Sequence, residues 1–471
     1  MILIRRIRQN PSFLRGERSS AFDLARGRLV LMGGVFLLAY GFMALRAFDL
    51  SVIQARVFDA EAPVYKGEAQ NPAANLRADI VDRNGVMLAT TLKTASLFAD
   101  ARYIADPQNA AKGLHRIFPD LAYGDVLQKL QSGKSFIWIK RNITPAEQQS
   151  VLALGEPGLV FDEGAQRFYP QGALAAHLVG YTNVDANGLA GIERGFDNYL
   201  QSGQPLRLTL DIRLQHALRR EVAAAMKDFK GVGAAGVIMD VRNGDILAGV
   251  SLPDFDPHNL GKAQKDQSFN RLSLGVYELG SVFKIFSTAA FLETRGLPLS
   301  TTFDAREPLK RGRHTIRDYH AKNRVLTLPE VFMYSSNIGT AMMAEATGTQ
   351  ALRDFYTDLG LLTPMEFGVK EVARPLVPNP WREISTLTAS YGHGISTTPL
   401  QMAAAVSSIV NGGVLVKPRL VLPGDGEPVE ATQGVRIISE ETAHEMRQLL
   451  RLVVTQGTGS KAEVAGYKVG G

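Results

Sequence analysis

The 471-residue sequence predicts a multidomain α+β protein carried behind a single N-terminal transmembrane helix. Three observations support this. The length exceeds what one hydrophobic core usually serves, so more than one domain is expected. The run "LVLMGGVFLLAYGFMAL", Leu29 to Leu45, holds no charged residue between Arg28 and Arg46. Further on, helix-period stretches and Asn-Gly turns follow one another as in a sheet covered by helices.

At 1.5 Å per residue the N-terminal run spans roughly 26 Å, the short end of a bilayer crossing, and flanking arginines can snorkel and extend it. A buried core helix is disfavoured by the length and flanks. A cleaved signal peptide is disfavoured because Leu45, Arg46, Ala47 and Phe48 stand where a small-x-small site should follow. The net charge of +6 is concentrated here. Residues 1–28 hold seven arginines against Glu17 and Asp23, a net of +5, which leaves +1 for the rest and argues against nucleic acid as partner. The positive-inside rule keeps this basic tail in the cytoplasm and exports everything after an anchor at 29–48. The chain has no cysteine, so disulfides and thiolate metal sites are excluded.

Residues 49–75, with "EAPVYKGEAQNPAAN", lack a period and read as an exposed linker. A first module is expected over 76–203. It contains "LRADIVDRNGVMLATTL", where Asn84-Gly85 between apolar stretches predicts a hairpin, and later the Gly- and aromatic-rich "QRFYPQGALAAHLVGYTNVDANGLAGIERGFDNYL". A second module is expected over 204–471. It opens with a short strand, an N-cap at Asp211 and a helix with Leu214, Leu218, Val222, Met226 and Phe229 on one face. Two strands joined at Asn243-Gly244 follow.

The sharpest local signal lies in "YELGSVFKIFSTAAFLETRG". A helix from Ser281 to a C-terminal stop at Gly296 puts Ser281 and Lys284 three apart on one face, close enough for an amine to take the hydroxyl proton. Backbone N–H groups left free at a helix start can stabilise an oxyanion. Lysine serves as a base only if burial or a neighbouring cation lowers its pKa. Alone, Ser-x-x-Lys should occur by chance about twice in such a chain, and it equally fits a capping serine beside a solvated lysine. Further on, "LTLPEVFMYSSNIGTAMMAEATG" carries a Thr327-x-x-Glu330 capping box with Pro329 early in the helix. Ser335, Ser336 and Asn337 then lie at a break between helices, where an ordinary polar turn is the plain alternative. Ser-x-Asn following Ser-x-x-Lys makes coincidence harder to sustain.

Other chemistries fit less well. "SGKS" at 132–135 lacks the glycine of a phosphate loop, since Gln128 stands there. There is no Gly-x-Ser-x-Gly and no His-Glu-x-x-His. His393 in "SYGHGIS" could serve a serine triad, although one histidine among glycines more often packs or turns, and Lys284 already stands beside Ser281.

Ser-x-x-Lys followed by Ser-x-Asn resembles the pattern of penicillin-binding proteins and serine β-lactamases. With "RADIVDRNG", "RFYPQGALAAHLVGY", "GLAGIERGFDNYL", "LTLDIRLQ", "YELGSVFK", "FMYSSNIGTA" and "SYGHGISTTPLQMAAAVSSIVNGG" in family order, the chain resembles class B penicillin-binding proteins, most closely the division-specific peptidoglycan D,D-transpeptidases of the FtsI type. The resemblance implies an elongated pedestal of the dimerisation type over 76–203 and a β-lactamase-like transpeptidase domain over 204–471. It implies Ser281 as nucleophile on a D-Ala-D-Ala stem peptide, Lys284 as acylation base, Ser335 as proton relay, and Asn337 bonding substrate and Lys284. It further implies no cofactor and trapping by β-lactams. The partners would be peptidoglycan stem peptides, a glycosyltransferase and other division proteins, at the bacterial inner membrane with the catalytic domain periplasmic. Ala78 and Leu279 depart from the family's usual Gly and Pro.

The closing "AEVAGYKVGG" reads as the approach to a strand. In the family, Lys-Thr-Gly follows such a segment at once, so the sequence is expected to be C-terminally incomplete. Two alternatives remain: a non-catalytic binding module of the division complex, or a D,D-carboxypeptidase or β-lactamase-like hydrolase using the same motifs.

Overall fold

The computed structural model describes the helix at 21–48 and residues 76–423 and 434–471. The expected linker at 49–75 and most of the basic tail lie outside the described residues. The chain divides into two units, residues 1–72 and 73–471.

In the first unit Ala21–Phe48 forms one 28-residue helix. Its side chains are described over 28–44, and all of those are exposed. Among the described residues no helix is long and apolar enough to cross a membrane.

The second unit begins with a mixed sheet. The predicted hairpin forms: Ile80–Val81 pairs antiparallel with the long strand Met87–Ala99, Ile80 opposite Ala89, around Gly85 at φ +86°. Ile80–Val81 also pairs in parallel with Leu206–Arg207, which returns the chain to the sheet just before the second module. Leu159–Phe168 runs antiparallel along nearly the whole long strand, and Ile137–Ile143 lies along its later half. Helices Pro107–Ile117 and Tyr123–Leu130 cover that half, enclosing a small core of Leu97, Leu114, Phe118, Leu130 and Ile143.

A second core joins the two modules. Ile80, Leu88, Leu178 and Ile192 from the first pack with Leu272, Phe367, Val369 and Leu400 from the second. Polar contacts cross the same seam. The Tyr169 N–H donates to His258 Nε2 at 3.0 Å, and Gly191 N–H donates to Glu371 at 3.2 Å.

The second module takes the α+β form the sequence predicts. Asp211 caps the helix Ile212–Asp228, which lies against the antiparallel pair Ala234–Met239 and Ile246–Leu252. Gly236 meets Leu218 and Val222 of that helix, which leaves no room for a larger residue. The expected apolar face is only partly used: Phe229, one residue past the helix end, is 86% exposed, because the two described strands cover only part of it. The largest core packs Lys284–Arg295, Leu328–Met333, Asn337–Thr347, Pro399–Val410 and Glu440–Gln456 around Phe283, Phe286, Leu328, Met343, Ile409 and Met446. The closing segment, read as the approach to a strand, itself forms none. A strand needs a partner edge, and here Gly471 N–H bonds the Leu450 carbonyl of the last helix while Arg451 reaches Val469 O.

Candidate active site

The nucleophile candidate stands on a two-part element. Gly280–Phe283 makes a 3₁₀ turn and Lys284–Arg295 continues as α-helix, ended by Gly296 at φ +59° as the sequence predicts. Tight winding brings residues three apart almost into register. Ser281 and Lys284 therefore meet, Lys284 Nζ donating to Ser281 Oγ at 3.1 Å. The turn is held from below. Gly392 packs against Gly280 so closely that a Cβ would lie 2.1 Å from the Gly280 carbonyl oxygen, and at φ +79° a side chain there would be strained as well.

Ser335 arrives from the other side because of how one helix stops. The capping box at Thr327 and Glu330 opens Leu328–Met333 as expected. The helix then closes with Ser335 N–H to Phe332 O at 3.1 Å and Ser336 N–H to Val331 O at 2.9 Å, the paired bonds of a Schellman ending. That ending places Ser335 in the left-handed region, φ +56°, where glycine is usual and a serine costs of the order of 1–2 kcal/mol. The conformation aims both its oxygens at the lysine: Lys284 Nζ donates to Ser335 O at 2.7 Å and to Ser335 Oγ at 2.8 Å, and Ser335 Oγ donates to Ser281 Oγ at 3.1 Å. Ser336 immediately opens the next helix, its Oγ accepting Gly339 N–H. One strained residue thus separates a helix end from a helix start.

Lys284 is only 3% exposed, and burial pulls its pKa down from the usual lysine value to about 8, with the nearby Asp318 carboxylate opposing the shift. An amine that parts with its proton near neutral pH is a usable base. Its three ammonium hydrogens are all engaged, on Ser281 Oγ, Ser335 O and Ser335 Oγ. For that reason the expected Asn337–Lys284 bond is not made. Asn337 Nδ2 donates instead to Arg317 O at 3.0 Å.

His393, weighed as an alternative base, is 70% exposed at its side chain and its Nδ1 lies 3.3 Å from Glu278 Oε2, not against Ser281. Glu278 also accepts the Gly394 N–H, tying this loop to the residues just before the nucleophile. Glu278 and Asp318 were not singled out in the sequence. Their contacts lie far along the chain, and no local pattern marks them. Among the described residues no cluster of His, Asp or Glu could hold a metal ion.

Comparison with known proteins places this geometry in context. Residues 234–471 match the penicillin binding protein transpeptidase domain, and residues 72–206 match the penicillin-binding protein dimerisation domain. The chain is 40% identical over 405 residues to the probable peptidoglycan D,D-transpeptidase FtsI of Caulobacter vibrioides, covering 84% of this chain and 68% of that protein. It is 33% identical to the probable peptidoglycan D,D-transpeptidase PenA of Neisseria gonorrhoeae, over 84% of this chain and 72% of the relative. With peptidoglycan D,D-transpeptidase FtsI of Escherichia coli it shares 29% identity, over 94% of this chain and 80% of the relative.

Proposed function

Because the chain belongs to the penicillin-binding proteins, matching both their dimerisation and their transpeptidase domains, we propose that it is a serine-type D-Ala-D-Ala transpeptidase that crosslinks peptidoglycan during septal wall synthesis and is a target of β-lactams. One observation carries the assignment of roles: Ser281 Oγ is approached at 3.1 Å by both a buried, readily deprotonated lysine and a second hydroxyl.

Ser281 Oγ attacks the carbonyl of the penultimate D-Ala as the neutral Lys284 amine takes its proton. The C–N bond then breaks, and Ser335, bonded to both other groups, passes a proton to the leaving D-Ala amine. An ester on Ser281 remains. The amine of a second stem peptide attacks that ester, its surplus proton returns through the same groups, and the crosslink forms with Ser281 restored. Asn337, at the first turn of its helix, bonds the peptide. A β-lactam enters the first step as a mimic of the D-Ala-D-Ala bond but leaves a stable ester.

The helix Ala21–Phe48 serves as the anchor, with the N-terminus cytoplasmic and the two modules periplasmic. What supports this is the charge-free run at 29–45 behind seven arginines. The helix runs 28 residues, longer than the roughly 20 a crossing needs. Partners at the pedestal would be division proteins, a glycosyltransferase among them.

The test is the intact mass of the native protein, purified from its own membranes, before and after incubation with benzylpenicillin, followed by peptide mapping. A stable gain of one drug molecule on Ser281 is expected. No adduct, or an adduct on another residue, overturns the assignment, and rapid turnover of the drug identifies a hydrolase instead.

A further inference from the structure

The segment 317–324 crosses over the helix break that carries Ser335 and Asn337, and one of its side chains is bound there through both oxygens. Asp318 Oδ2 accepts the Ser336 hydroxyl at 2.8 Å, and Asp318 Oδ1 accepts the Ile338 N–H at 2.9 Å. These partners flank Asn337 on either side. The preceding carbonyl, Arg317 O, accepts from the Asn337 amide. Three consecutive residues, Ser336, Asn337 and Ile338, are thus fixed by two consecutive residues from elsewhere in the chain. The carboxylate also sits at a helix N-terminus, where free N–H groups and the helix dipole favour a negative charge.

Resting on the transpeptidase reading of this site, we propose that Asp318 is a positioning residue of the acylation centre: it clamps Ser336 and Ile338, so fixing the strained Ser335 and the Asn337 amide beside Lys284. Two lines of geometry support this. Ser335 occupies a backbone conformation serine avoids and keeps it only while its surroundings hold it; the clamp acts on the very next residue. Secondly, the groups that Lys284 contacts, on Ser281 and Ser335, are neutral. Ser281 and Ser335 offer hydroxyls, and Asn337 an amide. Glu278 and His393 pair with each other. Lys322 and Arg324 lie against the Tyr334 ring, Arg324 also bonding Glu330. The Asp318 carboxylate, bonded to Ser336 one residue along from Ser335, favours the protonated amine against the larger, opposite effect of burial.

Two variants separate the geometric role from the electrostatic one. Asp318→Asn removes the charge while keeping the shape, and Ser336→Ala removes one clamp bond while keeping the charge. Each is measured in the full protein in two ways: by NMR titration of ¹³C-labelled lysine, with the Lys284 signal assigned by its loss in Lys284→Arg, and by the pH profile of benzylpenicillin acylation. In Asp318→Asn the Lys284 midpoint and the acidic limb of the profile should both move to lower pH, since a neighbouring anion no longer holds the proton. In Ser336→Ala the midpoint should stay, while acylation falls about tenfold as the serine and asparagine lose their register.

An unmoved Lys284 midpoint in Asp318→Asn overturns the electrostatic role, and wild-type acylation in Ser336→Ala overturns the clamp. Should Asp318→Asn fail to fold, Ser336→Ala still decides the clamp. The titration needs no activity: a shifted midpoint in a protein that forms no penicillin adduct would support Asp318's hold on Lys284 while removing the transpeptidase reading.

Discussion

Two buried basic groups in this chain share the same degree of burial and opposite electrostatics. In the pedestal, Arg77 is 3% exposed and fully paired: it meets Glu193 at 2.5 Å and Asp197 at 2.6 Å, while Arg167, 7% exposed, binds the other Glu193 oxygen at 2.7 Å. In the transpeptidase module Lys284, also 3% exposed, is met by hydroxyls and a carbonyl, with no carboxylate in contact. Arginine keeps its proton in any protein environment, so the pedestal cluster is a fixed joint between distant segments. A lysine so placed gives its proton up readily. Pairing a buried charge makes structure; leaving it unpaired makes a base.

The largest effect should come from giving Lys284 the pedestal's chemistry. Lys284→Arg keeps a cation at the site but one unable to accept a proton from Ser281. Acylation by benzylpenicillin is expected to fall by about 10³-fold or more, within the range that general-base catalysis supplies. Stopped-flow or gel-based acylation rates measure it directly. Near-wild-type rates would mean that another group takes the proton and that the contrast between the two clusters carries no catalytic meaning.

The converse substitution unpairs the pedestal. Glu193→Gln leaves the buried Arg167 without a carboxylate and Arg77 with Asp197 alone, and breaking such a buried pair costs roughly 3–5 kcal/mol. Urea unfolding should show the loss, while the folded fraction acylates at the wild-type rate because nothing near Ser281 has changed. A stability within about 1 kcal/mol of wild type would show that the cluster is not the joint its geometry suggests.

What the sequence disclosed about these regions followed contact distance. The Ser281–Lys284 spacing, the Thr327–Glu330 capping box and the turns at Gly85 and Gly244 are all formed by residues within a few positions of each other, and helix period or turn chemistry reveals them. The Arg77–Glu193 pair joins residues 116 apart, and Glu278 reaches Gly394 over the same separation. No pattern in one sequence announces such pairs. Asp318 lies only 18 residues from Ser336, yet the intervening chain carries no period that would bring them together. The closing segment around Val464, read as the approach to a strand, illustrates the same limit in reverse. Its residues suit a strand, but strand formation is settled by a neighbouring edge, and here the backbone of Gly471 bonds a helix carbonyl instead.

The smallest effect sharpens the comparison through pH. The ordinary lysine value, 10.5, applies to Lys284 in the unfolded chain, and burial lowers it to about 8 in the folded one. Below pH 8 both states hold the proton, and the folded state bears the full cost of burying the ammonium. Between about pH 8 and 10.5 the unfolded state binds a proton that the folded state has released, so the stability of the wild type rises with pH across that window. The total rise is roughly 3 kcal/mol, reckoned from the two end values. Lys284→Met has no such group. It should be more stable than wild type at pH 7, and the difference should close as the pH is raised to 10.5, as read from urea unfolding at fixed ionic strength. The same experiment on Arg77→Met should give a protein destabilised by the loss of its pairs with Glu193 and Asp197. Parallel curves for wild type and Lys284→Met from pH 7 to 10.5 would mean that Lys284 keeps its proton in the folded state, which would remove it as the base.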